Sequence, residues 1–130
     1  MLFGGHYVGN RIWCRHKYEK RVLKYTKPYL DILDEKAFLT SVDESIQRGV
    51  LGFTGLWMLT DEYIIGLLSD IEFQVAAIPR ELVTYCSFFD HRRIVSDNIS
   101  VGVLQCHLKS GQSVDMEIGR GSVCNQVLNL

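Results

Sequence analysis

Nucleophilic catalysis needs a cysteine or serine beside a positioned base, and Cys106-His107 is the one adjacent cysteine–histidine pair in this chain. Neighbouring residues on a strand point to opposite faces, so an extended segment here cannot make them a dyad. Asp90-His91 has the types of half a proton relay, in a stretch that reads as a turn. Cys86, His91, Cys106 and His107 are zinc-ligand types, but they lack the C-x-x-C or H-x-x-x-H spacing of a metal site. No catalytic set, metal or cofactor is therefore expected.

Charge offers a second kind of chemistry. Residues 1–27 hold seven Lys/Arg (Arg11, Arg15, Lys17, Lys20, Arg21, Lys24, Lys27) against Glu19, a local +6, and the remainder carries −7. The stretch RIWCRHKYEKRVLKYTK interleaves Trp13, Tyr18 and Tyr25 with these charges, a composition that grips phosphates and stacks bases. Arg11, Arg15, Lys17 and Arg21 are the candidate contacts to an anionic partner. The chain as a whole is slightly acidic, so a solvated face that pairs with the acidic remainder, within the molecule or across a dimer, is preferred to nucleic acid.

The elements that must carry these residues fit one domain, since 130 residues is ordinary single-domain length. A content of 47% hydrophobic and 22% charged residues is that of a globular chain. No window approaches the roughly 18 apolar residues of a membrane span, and the first residues lack a signal peptide's apolar block, so a cytoplasmic protein without a transmembrane segment is expected. Cys14, Cys86, Cys106 and Cys124 then read as free thiols acting as small core residues.

Two periodicities divide the domain at about residue 49. Between Thr26 and Gly49, Leu30, Leu33 and Ala37, with Ile32, Leu39, Val42 and Ile46, recur at helical offsets. One amphipathic helix is expected, capped at Thr26, with Pro28 in its first turn and Gly49 as its stop. The alternative is a break at Ser41, where Ser41-Val42-Asp43-Glu44 has capping-box spacing. Before Thr26, Ile12 to Tyr18 alternates as a strand before a helical pattern begins.

After Gly49 alternation takes over, most clearly in Ile71-Phe73-Val75-Ala77 and Val114-Met116-Ile118. Turn chemistry at Thr60-Asp61-Glu62, Ser69-Asp70, Pro79-Arg80, Asp90-His91, Asp97-Asn98 and Ser110-Gly111 delimits seven strands, near 51–59, 62–68, 71–78, 82–89, 92–96, 99–108 and 112–118. Connections this short imply antiparallel neighbours, hence a meander over 50–118. Ser122, Val123, Val127 and Leu128 suggest a short C-terminal helix over 121–130. The fold class is α+β: an N-terminal helical segment (1–49), then a curved antiparallel sheet or partly open barrel.

Gly55-Leu56-Trp57-Met58-Leu59-Thr60, Tyr63-Ile64-Ile65 and Ala77-Ile78-Pro79 before Leu82-Val83 resemble GRAM and bacterial PH-like domains over residues 49–130. The hairpin from Leu104 to Ile118, turning at Lys109-Ser110-Gly111, is similar to the one that precedes that family's C-terminal helix. The resemblance implies a seven-stranded, partly open barrel and a non-enzymatic module that binds lipids, peptides or proteins. Its ligand would meet a basic loop, and the matching residues are Arg92 and Arg93, with Tyr85 and Phe89 nearby, although Asp90 and Asp97 offset that charge. A helix-first chain with a curved sheet also resembles the cone-shaped NTF2-like folds. In that reading Tyr85, Phe88 and Phe89 wall an apolar pocket, and His91, His107 and Asp115 are the catalytic candidates. The preferred function is the binding module, with a homodimer or other protein as partner, or a lipid or small apolar ligand.

Overall fold

The computed structural model describes residues 15–53, 57–69, 73–92 and 100–119. Two helices, α1 (Arg15–Thr26) and α2 (Glu35–Arg48), precede seven strands. These are β1 (Val50–Phe53), β2 (Trp57–Thr60), β3 (Tyr63–Ser69), β4 (Gln74–Pro79), β5 (Val83–Arg92), β6 (Ser100–Leu108) and β7 (Ser113–Gly119). All pairings are antiparallel, and the sheet curls into a half barrel, the α+β architecture that the periodicities predict.

The single helix expected over 26–49 is two helices. The Lys27 N–H still bonds the Leu23 carbonyl at 3.0 Å, but Pro28 has no N–H to give to the next carbonyl, so the ladder breaks and α1 ends at Thr26. Thr26 is therefore the last residue of one helix, and Pro28 lies in the turn. The second helix takes its cap from Asp34, whose Oδ1 accepts the Ala37 N–H at 3.0 Å. Leu33, placed on the apolar stripe by its spacing, sits in the connection and is 93% exposed. No break falls at Ser41, because Leu39, Val42, Ser45 and Ile46 form one buried face. Gly49 closes α2 at φ 144°, a backbone angle that side chains rarely adopt. The strand expected over 12–18 is also corrected: from Arg15 onward the chain is helical, with Val22 and Thr26 one turn apart on the buried side.

Strand boundaries differ in two places. The strand expected over 51–59 is a hairpin of β1 and β2, with Gly52 opposite Leu59 and Phe53 opposite Met58. A Cβ on Gly52 would lie 3.1 Å from Trp57 Cη2, so glycine lets the indole lie against β1. The strand expected at 82–89 runs on to Arg92 as one long strand, β5, and Asp90-His91 is not a turn: His91 pairs with Val101. Of the strand expected at 92–96, residues 93–96 lie outside the described residues. The Asp61-Glu62 turn is where the sequence puts it, joining β2 to β3 with Leu59 opposite Ile64.

Consecutive strands pair except β4 and β5, which a single turn of 3-10 helix (Arg80–Leu82) separates. In that gap the sheet closes differently, with β7 joining β3 at Leu67–Glu117. Trp57, Met58, Leu59, Ile65, Leu67, Ile78, Leu104 and Met116 fill the core, with Val22 from α1 and Val42 from α2. Strand β4 is buried on both faces from Val75 to Ile78, and α1 lies against it. The buried Thr26 Oγ1 accepts the Ala77 N–H at 3.1 Å, so the end of α1 satisfies a donor on the edge of β4 that faces away from β3. The expected C-terminal helix over 121–130 lies outside the described residues.

Candidate functional site

Alternation along β5, β6 and β7 sorts their side chains onto two faces. Leu104, Cys106, Leu108, Val114 and Met116 point into the core. Tyr85, Ser87, Gln105, His107, Ser113 and Asp115 occupy the other face, in register: Tyr85 opposite His107, Ser87 opposite Gln105, Gln105 opposite Asp115 and His107 opposite Ser113. Cys106 and His107 thus face opposite ways, as strand geometry requires.

On the outer face the Tyr85 and His107 rings stack at 4.1 Å between centroids and 14° between planes. Tyr85 is 60% exposed. His107 is held at both ring nitrogens, Nε2 3.1 Å from Ser87 Oγ and Nδ1 3.3 Å from Ser113 Oγ. A hydroxyl serves as donor or acceptor, so either neutral tautomer of the imidazole is satisfied. Thr84 Oγ1 donates to the His107 carbonyl at 2.9 Å, and Gln105 Nε2 donates to Asp115 Oδ1 at 3.0 Å. The result is a rigid aromatic pair in a polar frame.

Of the expected catalytic residues, the structure brings His107 and Asp115 to one face without pairing them: Asp115 binds Gln105 and His107 binds two serines. Ser87 with His107 has the types of a nucleophile and base, but the group on the far nitrogen is Ser113, which cannot hold an imidazolium as a carboxylate does. His91 and Arg92 lie in β5 opposite Val101 and Ser100, and Phe89 opposite Val103. The side chains of Phe89, His91 and Arg92, and all of Arg93, lie outside the described part. Phe88 packs against the core. Of the basic candidates, Arg11 is outside the described residues and Arg15 and Lys17 lie in α1. Arg21 is exposed there, its guanidinium carbon 6.0 Å from the Phe73 ring centroid.

A cavity of about 400 Å³ opens elsewhere, between Ser41, Asp61, Glu62, Tyr63, Pro79, Arg80 and Glu81. Ser41, Asp61, Glu62, Tyr63 and Arg80 are held by hydrogen bonds or ion pairs. Arg48 reaches Asp61 at 2.7 Å and Glu62 at 3.3 Å, tying α2 to the β2–β3 turn. The Arg48 hydrogen bond holds the Asp61 carboxyl below its ordinary value. Arg80 donates to the carbonyls of Thr60 and Asp61 at 3.1 and 3.3 Å. Tyr63, 3.0 Å from Ser41 through its hydroxyl, has its ionisation pushed up by burial. This cluster was not singled out from the sequence beyond its turn, because Arg48, Asp61 and Arg80 meet only through the fold.

Among the described residues no three His, Cys, Asp or Glu side chains are grouped to hold a metal ion, and no helix is long and apolar enough to cross a membrane. Compared with protein-family models, curated proteins and solved structures, the chain matches none.

Proposed function

We propose that this chain is a non-enzymatic protein-interaction module of PH-like type that associates with a second copy of itself. The observation that carries the reading is the exposed Tyr85–His107 stack, locked by Ser87 and Ser113 on the outer side of a sheet whose inner side is core. An aromatic pair already held in one geometry loses little entropy on contact, and a tyrosine ringed by polar groups is the usual centre of a protein interface. Asp115 rims this face, while Lys20, Arg21 and Lys24 are exposed along α1. The basic helix of one copy and the acidic, aromatic face of the other are complementary in charge, as the +6 and −7 division of the chain suggests. The gap between β4 and β5 and the curl of the sheet agree with a partly open barrel, which supports the GRAM-like resemblance. The bonding of His107 and Asp115 to separate partners weighs toward recognition over catalysis.

Sedimentation velocity of the full chain tests this. A dimer is expected that dissociates as salt rises. Tyr85→Ala should raise its Kd about 30-fold, the ~2 kcal/mol of an interface hot spot. Asp115→Lys and the double change Lys20→Glu/Lys24→Glu should each weaken it, and mixing the two charge-reversed chains should restore it. A monomer at every concentration, or a dimer indifferent to these changes, overturns the proposal. Binding to anionic vesicles in place of self-association would do the same.

A further inference from the structure

Behind the Tyr85–His107 pair, on the core side of the same two strands, Cys86 and Cys106 are direct partners in the β5–β6 register. Both are free thiols, Cys106 buried and Cys86 half-buried, and their sulfurs are 3.7 Å apart. We propose that Cys86 and Cys106 are a thiol-oxidation site that closes reversibly into a cross-strand disulfide, with a small-molecule disulfide such as oxidised glutathione as oxidant. The inference rests on the thiol geometry and not on self-association.

The two thiols are unequal. With Cys86 ionised, the Cys106 S–H donates to its sulfur, which draws the Cys86 pKa below the ordinary thiol value. The same hydrogen bond, with burial, pushes Cys106 up. The half-exposed thiol with the lower pKa is the attacking group, and the buried one resolves. In the first step the Cys86 thiolate attacks one sulfur of glutathione disulfide, forming a mixed disulfide and expelling one glutathione thiolate. In the second, Cys106 gives up its proton to that thiolate and attacks the Cys86 sulfur, expelling the second. The two protein thiols lose two protons and two electrons, and the glutathione disulfide gains both as two thiols.

Reversibility follows from strand spacing. A disulfide needs its sulfurs at ~2.05 Å and its Cβ atoms at about 3.5–4.5 Å, whereas opposed residues on antiparallel strands hold their Cβ atoms about 4.5–5.5 Å apart. Closing the bond draws β5 and β6 together and stores strain, and strained disulfides are the readily reduced ones. The flanking positions carry Tyr85 and Ser87 on one strand and Gln105 and His107 on the other, so the pull reaches the outer face directly.

The test uses the full chain with Cys14→Ser and Cys124→Ser, incubated natively with oxidised glutathione, then analysed by intact mass and peptide mapping. The expected product is lighter by two hydrogen atoms, links the peptides containing Cys86 and Cys106, and reverts with dithiothreitol. Adding Cys106→Ser should stop the reaction at one glutathionyl group on Cys86. Adding Cys86→Ser should slow thiol loss at least about tenfold. The unsubstituted chain, mapped in the same way, should join Cys86 to Cys106 and not to Cys14 or Cys124, which keeps the test independent of how the variants fold. A stable glutathione adduct in the two-thiol chain, a bridge to another cysteine, or closure only in denaturant overturns the proposal.

Discussion

Replacing Thr26 by valine tests how the free edge of β4 is protected. Thr26 and Ala77 are both fully buried, and the Thr26 hydroxyl oxygen receives the Ala77 N–H at 3.1 Å. Valine keeps the shape of threonine and removes that acceptor, leaving a backbone donor without water or partner. An unsatisfied buried group costs ~1–3 kcal/mol. At about 2.1 cal/mol/K per residue, unfolding a chain of 130 residues carries an entropy near 0.27 kcal/mol/K, so each kcal/mol moves Tm by about 4 °C. Thr26→Val should therefore lower Tm by about 4–11 °C. Thr26→Ser keeps the oxygen and loses one methyl, and should lie much closer to the parent. Calorimetry gives the Tm values, and hydrogen exchange at the Ala77 amide gives the local readout, with protection lost in the valine variant and retained in the serine one. If Thr26→Val stays within about 2 °C of the parent, or the serine variant suffers equally, the hydroxyl does not guard this edge.

Two further predictions concern α2 and the β2–β3 turn. A buried chain of hydrogen bonds runs from the Tyr63 N–H to Thr60 Oγ1 at 3.0 Å, on to Ser45 Oγ at 2.8 Å, and from Ser45 Oγ to the Val42 carbonyl at 3.0 Å. Thr60→Val orphans the Tyr63 N–H and should cost ~1–3 kcal/mol in urea unfolding, whereas Ser45→Ala leaves that N–H satisfied and should cost about 1 kcal/mol. The reverse ranking would refute the direction of the chain. Asp61 is held below its ordinary value of 3.8 chiefly by the Arg48 hydrogen bond, so its contribution to stability is present above 3.8 and is lost as pH falls through the lowered folded value. The Tm difference between the parent and Asp61→Asn should be largest at neutral pH and low salt, and should vanish on acidification. A difference that persists in strong acid would mean that Asp61 acts through something other than its charge.

Much of the sheet was legible because strand alternation is local. Val114 and Met116 inward, Ser113 and Asp115 outward, Cys106 and His107 on opposite faces: each follows from a period of two once the strand is recognised. The Thr60-Asp61-Glu62 turn is likewise built from its own residues, Thr60 Oγ1 receiving the Tyr63 N–H. The helices were less legible because Pro28 suits two readings, first turn of one helix or terminator of another. The contact of Val22 and Thr26 with β4 decides between them, and that contact joins residues about fifty positions apart. The long β5 was hidden for a similar reason: Asp90-His91 has turn chemistry, yet pairing with β6 from Val83 to Arg92 keeps it extended.

By itself, the sequence determined what short-range sterics and hydrogen bonding can write: an α+β chain, seven antiparallel strands, the Asp61-Glu62 turn, the glycine that ends α2, the opposite facing of Cys106 and His107 on β6, and the faces of Ser113 to Met116 on β7. Only the tertiary structure decided the closure of β7 onto β3, the placing of α1 on β4, and the pairs Tyr85–His107, Cys86–Cys106 and Arg48–Asp61. Each of those pairs depends on registers between segments distant in sequence, and a register is selected by the summed burial of the whole core rather than by any residue in the pair.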